Sequence, residues 1–239
     1  MHDLKARPNR RIDDPLFCHL APFVAWLLVM TICGGPSPYA YAFRTLFTTA
    51  LLIYLRPWRW YPRLKTTHIL PATTVGLAVF VLWVIGESEI ASRLPYIKEV
   101  YLRWGITPFG ELPDDTIVNS VYAPETCGWP FTLIRIFGSF AVVAIAEELF
   151  WRACLYRVLI ERDFLNVDLN RFQPLLFIIV CVAFGFEHQR WLVGIIAGAA
   201  YGALMIKTRS LWAPALAHAI TNLVLALYVV WGGHYHFWA

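Results

Sequence analysis

The stretch Phe140-Ala-Val-Val-Ala-Ile-Ala-Glu-Glu-Leu149, with Arg152 just beyond it, sets two adjacent carboxylates inside an apolar run. An ionised side chain in hydrocarbon costs roughly 2.5–3.5 kcal/mol even on permissive insertion scales, so such residues face a bundle interior or a wet cavity and mark function. A passive membrane segment does not account for Glu147 and Glu148.

Working outward, composition makes the bilayer the solvent. The chain has 239 residues, 59% hydrophobic and 15% charged, with a mean hydropathy of +0.55, which places it in the membrane class. The formal charge of +4 is modest and its basic residues sit in short blocks between apolar runs, a pattern of topology that argues against a nucleic-acid partner. Cys18, Cys33, Cys127, Cys154 and Cys181 show no C-x-x-C spacing, so neither a zinc cage nor a disulfide framework is expected. Cys127, in a polar loop, has no assigned role.

A membrane helix takes about 20 mostly apolar residues, and such runs lie near 16–33, 39–55, 69–86, 129–151, 173–188, 191–206 and 211–231. The expected fold is all-α: a polytopic helical membrane bundle of about seven transmembrane helices plus short interfacial helices, in one domain covering 1–239. The first run ends in Gly34-Gly35-Pro36-Ser37-Pro38 without a small-x-small cleavage signal and reads as an uncleaved span. Flanking charge gives orientation. Lys5, Arg7, Arg10 and Arg11 in the 1–15 tail, and Arg56, Arg59, Arg63 and Lys65 after the second run, belong in the cytoplasm. Loop 87–128, with seven acids against Arg93, Lys98 and Arg103, belongs outside. The expectation is an integral membrane protein, N-terminus in and C-terminus out.

Several segments carry secondary expectations. Ile97, Val100, Tyr101 and Trp104 suggest a short interfacial helix inside the long loop. Segment 153–172, with Leu155, Val158, Leu159, Phe164 and Leu165 against Arg157, Glu161, Arg162, Asp163 and Asp168, reads as amphipathic and interfacial. Gly194, Gly198 and Gly202 recur every four residues and predict close helix approach within the bundle. The 38 aromatic residues read mainly as interfacial belts. Arg44 and Arg135, near span ends, are expected to snorkel.

On a helix, Glu148 and Arg152 are four apart and pair on one face, acid first. Glu147 is left on a neighbouring face, where a desolvated carboxylate suits a general base. The fifth run ends in Phe184-Gly-Phe-Glu-His188, and the seventh holds His218 and Asn222 at i and i+4. Together with Glu147 these residues supply a base, two imidazoles and an amide, the inventory for hydrolysing an amide bond: water activation and donors to an oxyanion. Glu187 is an extra acid without an assigned role, read as solvated at a helix end.

Glu147-Glu148-x-x-x-Arg152, Phe184-x-x-x-His188 and His218-x-x-x-Asn222 resemble the three ordered motifs of the CPBP family of intramembrane proteases, which includes CAAX prenyl endopeptidases and bacteriocin-processing or self-immunity proteins. The stretch Thr208-Arg-Ser-Leu-Trp-Ala-Pro-Ala-Leu-Ala-His218 also resembles the family's lead into its last motif. The resemblance covers about 129–231, and size and aromatic content further resemble a bacterial CAAX-protease-related subgroup associated with exosortase systems. It implies that Glu147 with His188 activates a water and that His218 with Asn222 stabilises the oxyanion, with Glu148, Arg152 and Phe184 in support. It also implies a membrane-associated peptide or protein substrate, prenylated or not, and a bacterial inner membrane as the location. No cofactor is expected; a zinc version would use Glu147, His188 and His218 as ligands. A non-catalytic binding or immunity protein, or a small transporter with a proton relay, is the alternative.

Simple threading of seven spans puts Glu147 and His218 toward the cytoplasmic side and His188 toward the other. For the three to meet, the helix from Trp129 must continue past Arg152 and the 173–188 segment must stop near midplane.

Overall fold

The computed structural model describes residues 13–110 and 120–238. The basic residues Lys5 to Arg11 and the loop acids Glu111, Asp114 and Asp115 lie outside the described residues. What is described is helical, with no strand among the described residues. We label the main helices α1 (Pro15–Cys33), α2 (Pro38–Leu55), α3 (Thr66–Ile85), α4 (Pro95–Tyr101), α5 (Trp129–Ile160), α6 (Pro174–Phe186), α7 (Trp191–Thr208) and α8 (Trp212–Gly232).

Helix starts follow local chemistry. Proline stands at the first position of α1, α2, α4 and α6, where its missing N–H costs nothing and its fixed φ suits a helix. The Asp14 carboxylate accepts from the Leu16 N–H, and Ser37 Oγ from the Ala40 N–H, satisfying donors that a helix start leaves open.

Seven helices occupy the seven expected runs, but the count of seven full spans needs correction. Five of them, α1, α3, α5, α7 and α8, are long and apolar enough to cross a membrane. Helix α2 has the length but carries Arg44, Thr45, Thr48 and Thr49. Helix α6 is apolar but has 13 residues, about 20 Å at 1.5 Å per residue, against a hydrocarbon core of about 30 Å. In contrast, α5 runs for 32 residues, well past the expected end at 151.

The exterior segment meets the short helix. After α4 the chain continues through wide turns to Ile106, the Tyr101 ring lies against Gly86 and Gly105, and Trp191 Nε1 donates to the Trp104 carbonyl over 2.7 Å. The interfacial helix expected near Ile97 therefore forms, with Ile97, Val100 and Trp104 exposed.

The amphipathic reading of 153–172 fails at its centre. Residues 153–160 finish α5, and Tyr156, Arg157, Phe164 and Val167 are buried. Arg157 donates to the carbonyls of Ala153, Leu165 and Val167 and to the Tyr61 hydroxyl. Five donors on one planar group suit it to tying irregular backbone together. Burial pushes the Tyr61 hydroxyl up to about 12, so at neutral pH it keeps its proton for His19 Nε2 and accepts from Arg157.

The glycine stripe on α7 packs within the bundle, as expected. A Cβ on Gly194 would lie 2.9 Å from Gly185 Cα, and one on Gly202 would lie 2.6 Å from the Phe177 ring. Across the contact, a Cβ on Gly185 would meet Ile195 Cγ1 at 2.4 Å and the Trp191 carbonyl oxygen at 2.7 Å. The second partner is backbone and cannot swing away. We predict that Gly185→Ala costs about 1–3 kcal/mol through overpacking, read as a lowered thermal midpoint in detergent; parental stability would refute the close α6–α7 contact.

Candidate active site

The three motif segments arrive from α5, the end of α6 and α8. The length mismatch described above resolves their depth: α5 extends past Arg152, so Glu147 lies well inside it, while α6 stops early and carries His188 into the bundle. The extension of α5 past Arg152 is present, and α6 ends at Phe186 after 13 residues. His188, Glu147, His218 and Asn222 line one cavity of about 250 Å³, room for several waters at roughly 30 Å³ each.

Within α5, wide π-type turns cover 138–143 and 148–155, on either side of a normal turn at 144–147. Such turns recur at functional sites because they re-aim side chains along a helix. Here they flank the glutamate pair. The Ser139 carbonyl, in the first wide segment, accepts from Asn222 Nδ2 over 2.9 Å, which fixes the amide and leaves its second N–H for another partner.

Glu148 is fully buried and its Oε1 accepts twice, from Arg152 Nη1 at 2.9 Å and from His218 Nδ1 at 3.0 Å. The expected Glu148–Arg152 pair is present, and the bond to His218 is an addition that spacing on one helix could not reveal. Glu147 is also buried; Oε2 of each glutamate has no hydrogen-bond partner, but Glu147 lines the cavity and lacks the two bonds that hold Glu148 Oε1. The two neighbours thus divide: Glu148 is a fixed structural acid and Glu147 an uncommitted one facing the cavity.

Each histidine has one nitrogen assigned. His188 Nδ1 bonds the Phe184 carbonyl at 2.8 Å, which places the proton there and leaves Nε2 as an acceptor. His218, held at Nδ1 by Glu148, presents Nε2 to the cavity and stacks on Tyr201 at 4.9 Å. Phe184 is the hub: its ring contacts His188 at 4.7 Å, Trp151 at 5.9 Å and His218 at 6.1 Å, and the Arg152 guanidinium lies 4.0 Å above it.

Sequence reasoning missed several contributors. Glu187 is no solvated end residue; it lines the cavity, and its carboxylate accepts from Trp151 Nε1 at 2.9 Å. Its only sequence signal was adjacency to His188. Trp83 of α3 packs edge-on to His188 at 5.4 Å, and α3 reaches α8 closely enough for Thr221 to bond the Gly76 carbonyl at 2.8 Å. Beyond His188, Arg190 is ion-paired with Glu87, one contact measuring 2.9 Å, which anchors the turn to the end of α3. Arg44 and Arg135 do not snorkel. Both line the cavity among aromatic rings. Among the described residues no group of three or more His, Cys, Asp or Glu side chains is placed to hold a metal ion.

The division of the glutamates has a stability consequence. Removing Glu148 strands the Arg152 guanidinium in the interior and leaves His218 Nδ1 without its acceptor, so Glu148→Ala should cost about 3–5 kcal/mol. Glu147→Ala removes an unsatisfied buried oxygen and should leave the thermal midpoint near or above the parent's. Equal destabilisation of the two variants would overturn the assignment.

Comparison with known families agrees with this geometry. Residues 129–224 match the family model described as type II CAAX prenyl endopeptidase Rce1-like. Neither the curated proteins nor the solved structures contain a match. The matched segment opens with α5 and closes just after Asn222, enclosing all three motifs. Through residues 129–224, this helical membrane protein is similar to the type II CAAX prenyl endopeptidase family, which supports the resemblance carried by its three motifs.

Proposed function

We propose that the protein is an intramembrane endopeptidase that hydrolyses a peptide bond by general-base catalysis, without a covalent intermediate. The observation that carries this reading is the uncommitted Glu147 carboxylate facing the same cavity as His188 Nε2, His218 and Asn222. Glu147 and His188 Nε2 are both acceptors, so one water can donate a hydrogen to each and turn a lone pair toward the scissile carbonyl. As the water oxygen bonds to that carbon, its proton passes to Glu147. The tetrahedral oxyanion is met by the free N–H of Asn222 and by His218, which as an imidazolium donates from Nε2 while Glu148 balances its charge. Collapse breaks the C–N bond, and Glu147 returns the proton to the leaving amine.

Around that centre, Glu148 offsets the Arg152 guanidinium in a medium where an unpaired charge is expensive. The substrate is a membrane-associated peptide or protein, with prenylation an open property of the family's substrates. Orientation follows the charges: the loop with Arg56, Arg59, Arg63 and Lys65 in the cytoplasm. Metal plays no part in the steps above.

We predict that Glu147→Gln or His188→Ala lowers kcat by about 10²–10⁴, and His218→Ala or Asn222→Ala by about 10²–10³, in reconstituted vesicles with folded protein. Full activity of Glu147→Gln sinks the mechanism. Stoichiometric zinc in active protein, with chelator loss restored by zinc, replaces it with a metal-dependent one. A biological effect retained by all four variants favours the non-catalytic binding role.

A further inference from the structure

The two ends of the bundle differ in charge. The α2–α3 connection carries Arg56, Arg59, Arg63 and Lys65, and the α7–α8 connection Lys207 and Arg209, with no acid in residues 56–65 or 207–211. The α5–α6 connection at the same end adds Arg162 and Arg171. At the opposite end, the turn 34–37 and the segment 233–238 hold no Lys or Arg, and residues 86–128 hold Arg93, Lys98 and Arg103 against seven acids. Arg190, also at that end, is paired with Glu87. Lys and Arg in short connections stay in the cytoplasm and acids weigh little, so the first end is the cytoplasmic one.

The catalytic cavity opens at the other end. It is lined by Met30 and Trp83, near the ends of α1 and α3, and by Phe237 and Trp238. An adjoining cavity of about 360 Å³ shares Met30 and Trp238 and continues to Cys33, Gly35 and Ser37 of the α1–α2 turn. Cys33 is exposed, so the two cavities make one path from the surface to Glu147. Toward the basic end the site is walled. Past Glu147, α5 presents the buried Glu148–Arg152 pair and then the buried Arg157. Fully buried His19 of α1 bonds the Tyr61 hydroxyl at 2.8 Å and packs against Phe164 at 5.1 Å. The void beside Arg152, lined by Tyr156, Phe177 and Met205, measures about 10 Å³, no more than one water takes. A cavity of about 560 Å³ at the basic end, against Trp58, Arg63, Ile145 and Leu216, includes none of the catalytic side chains.

We infer that the active site is entered from the extracytoplasmic face, and that its substrates are exported peptide segments presented from outside the cell. The inference rests on the protease reading and names its substrate class. Water, the co-substrate, enters by the same path. A cytoplasmic tail, prenylated or not, meets only the walled end. The reaction that supplies the substrate is therefore translocation across the membrane, and cleavage follows it.

The test uses sealed vesicles from a bacterial host carrying the full chain, right-side-out or inverted, and a membrane-impermeant trimethylammonium methanethiosulfonate. In Cys127→Ser protein, where Cys18, Cys154 and Cys181 are buried, native Cys33 should react in right-side-out vesicles and not in inverted ones. In a Cys33→Ser, Cys127→Ser background, Ser139→Cys, which lines the catalytic cavity, should react from the same side. Thr66→Cys, exposed in the α2–α3 connection, should react in inverted vesicles alone. Reaction of the Cys33 thiol only in inverted vesicles overturns the inference, as does Ser139→Cys reached only from the side that reaches Thr66→Cys. Neither outcome requires catalysis, and Cys33 is read without altering the cavity. Cleavage is read separately. A randomised quenched-fluorescence peptide pool added outside the vesicles should be cut by right-side-out wild type and not by inverted wild type, with Glu147→Gln as the blank. Cleavage confined to inverted vesicles overturns the substrate class. No cleavage on either face, with the thiol pattern standing, leaves the entrance and removes the protease reading.

Discussion

One oxygen atom organises the centre of this molecule. Glu148 Oε1 accepts from Arg152 on its own helix and from His218 on α8, so the first bond fixes the carboxylate on α5 and the second ties α5 to α8 beside the cavity. Buried ion pairs rarely add net stability over apolar packing, but leaving one partner alone is severe. The arrangement thus acts chiefly through specificity. Alternatives in which α5 slides or rotates against α8 would break the Glu148–His218 bond in the interior, and the alignment that keeps it also sets Glu147 and His188 on one cavity.

A second constraint is packing around Phe184. Its ring touches two histidines, a tryptophan and the Arg152 guanidinium, so the spacing of Phe184 and His188 on one helix turn places an apolar post beside the imidazole it positions. The His188 Nδ1 bond to the Phe184 carbonyl adds the tautomer. The same four-residue unit sets both where the ring lies and which nitrogen stays free.

Much of this was legible in the sequence, for a physical reason. Charges in hydrocarbon are so costly that Glu147, Glu148, Arg152, His188 and His218 stand out from their apolar surroundings, and a four-residue interval on a helix fixes who can pair with whom. The glycines of α7 were legible for a similar reason, since nothing but close approach explains that period. What sequence could not supply was contact between helices. The Glu148–His218 bond, the Trp151–Glu187 bond and the Trp83–His188 contact each join residues far apart in the chain. The count of seven measured apolar length: α6 is apolar throughout but has 13 residues, and five helices are long and apolar enough to cross a membrane. Arg157 misled the reading of 153–172 because a charge on a helix face looks solvated until backbone carbonyls from a neighbouring loop are found to surround it.

The short α6 also bears on how hydrolysis can occur within a bilayer at all. Water is the co-substrate, and hydrocarbon excludes it. A helix of full length in this position would bury its end residues in the interface and carry His188 away from Glu147. By ending after 13 residues, α6 leaves its last turn and the Glu187–His188 pair facing a protein-lined cavity, where irregular backbone at membrane depth is tolerated. The far side of the turn is held by the Glu87–Arg190 pair and by Trp191 on the Trp104 carbonyl, so the gap above α6 is closed by the chain's own exterior segment rather than by lipid. Under the proposed reading, the watered setting of the reacting groups follows from that early stop of α6.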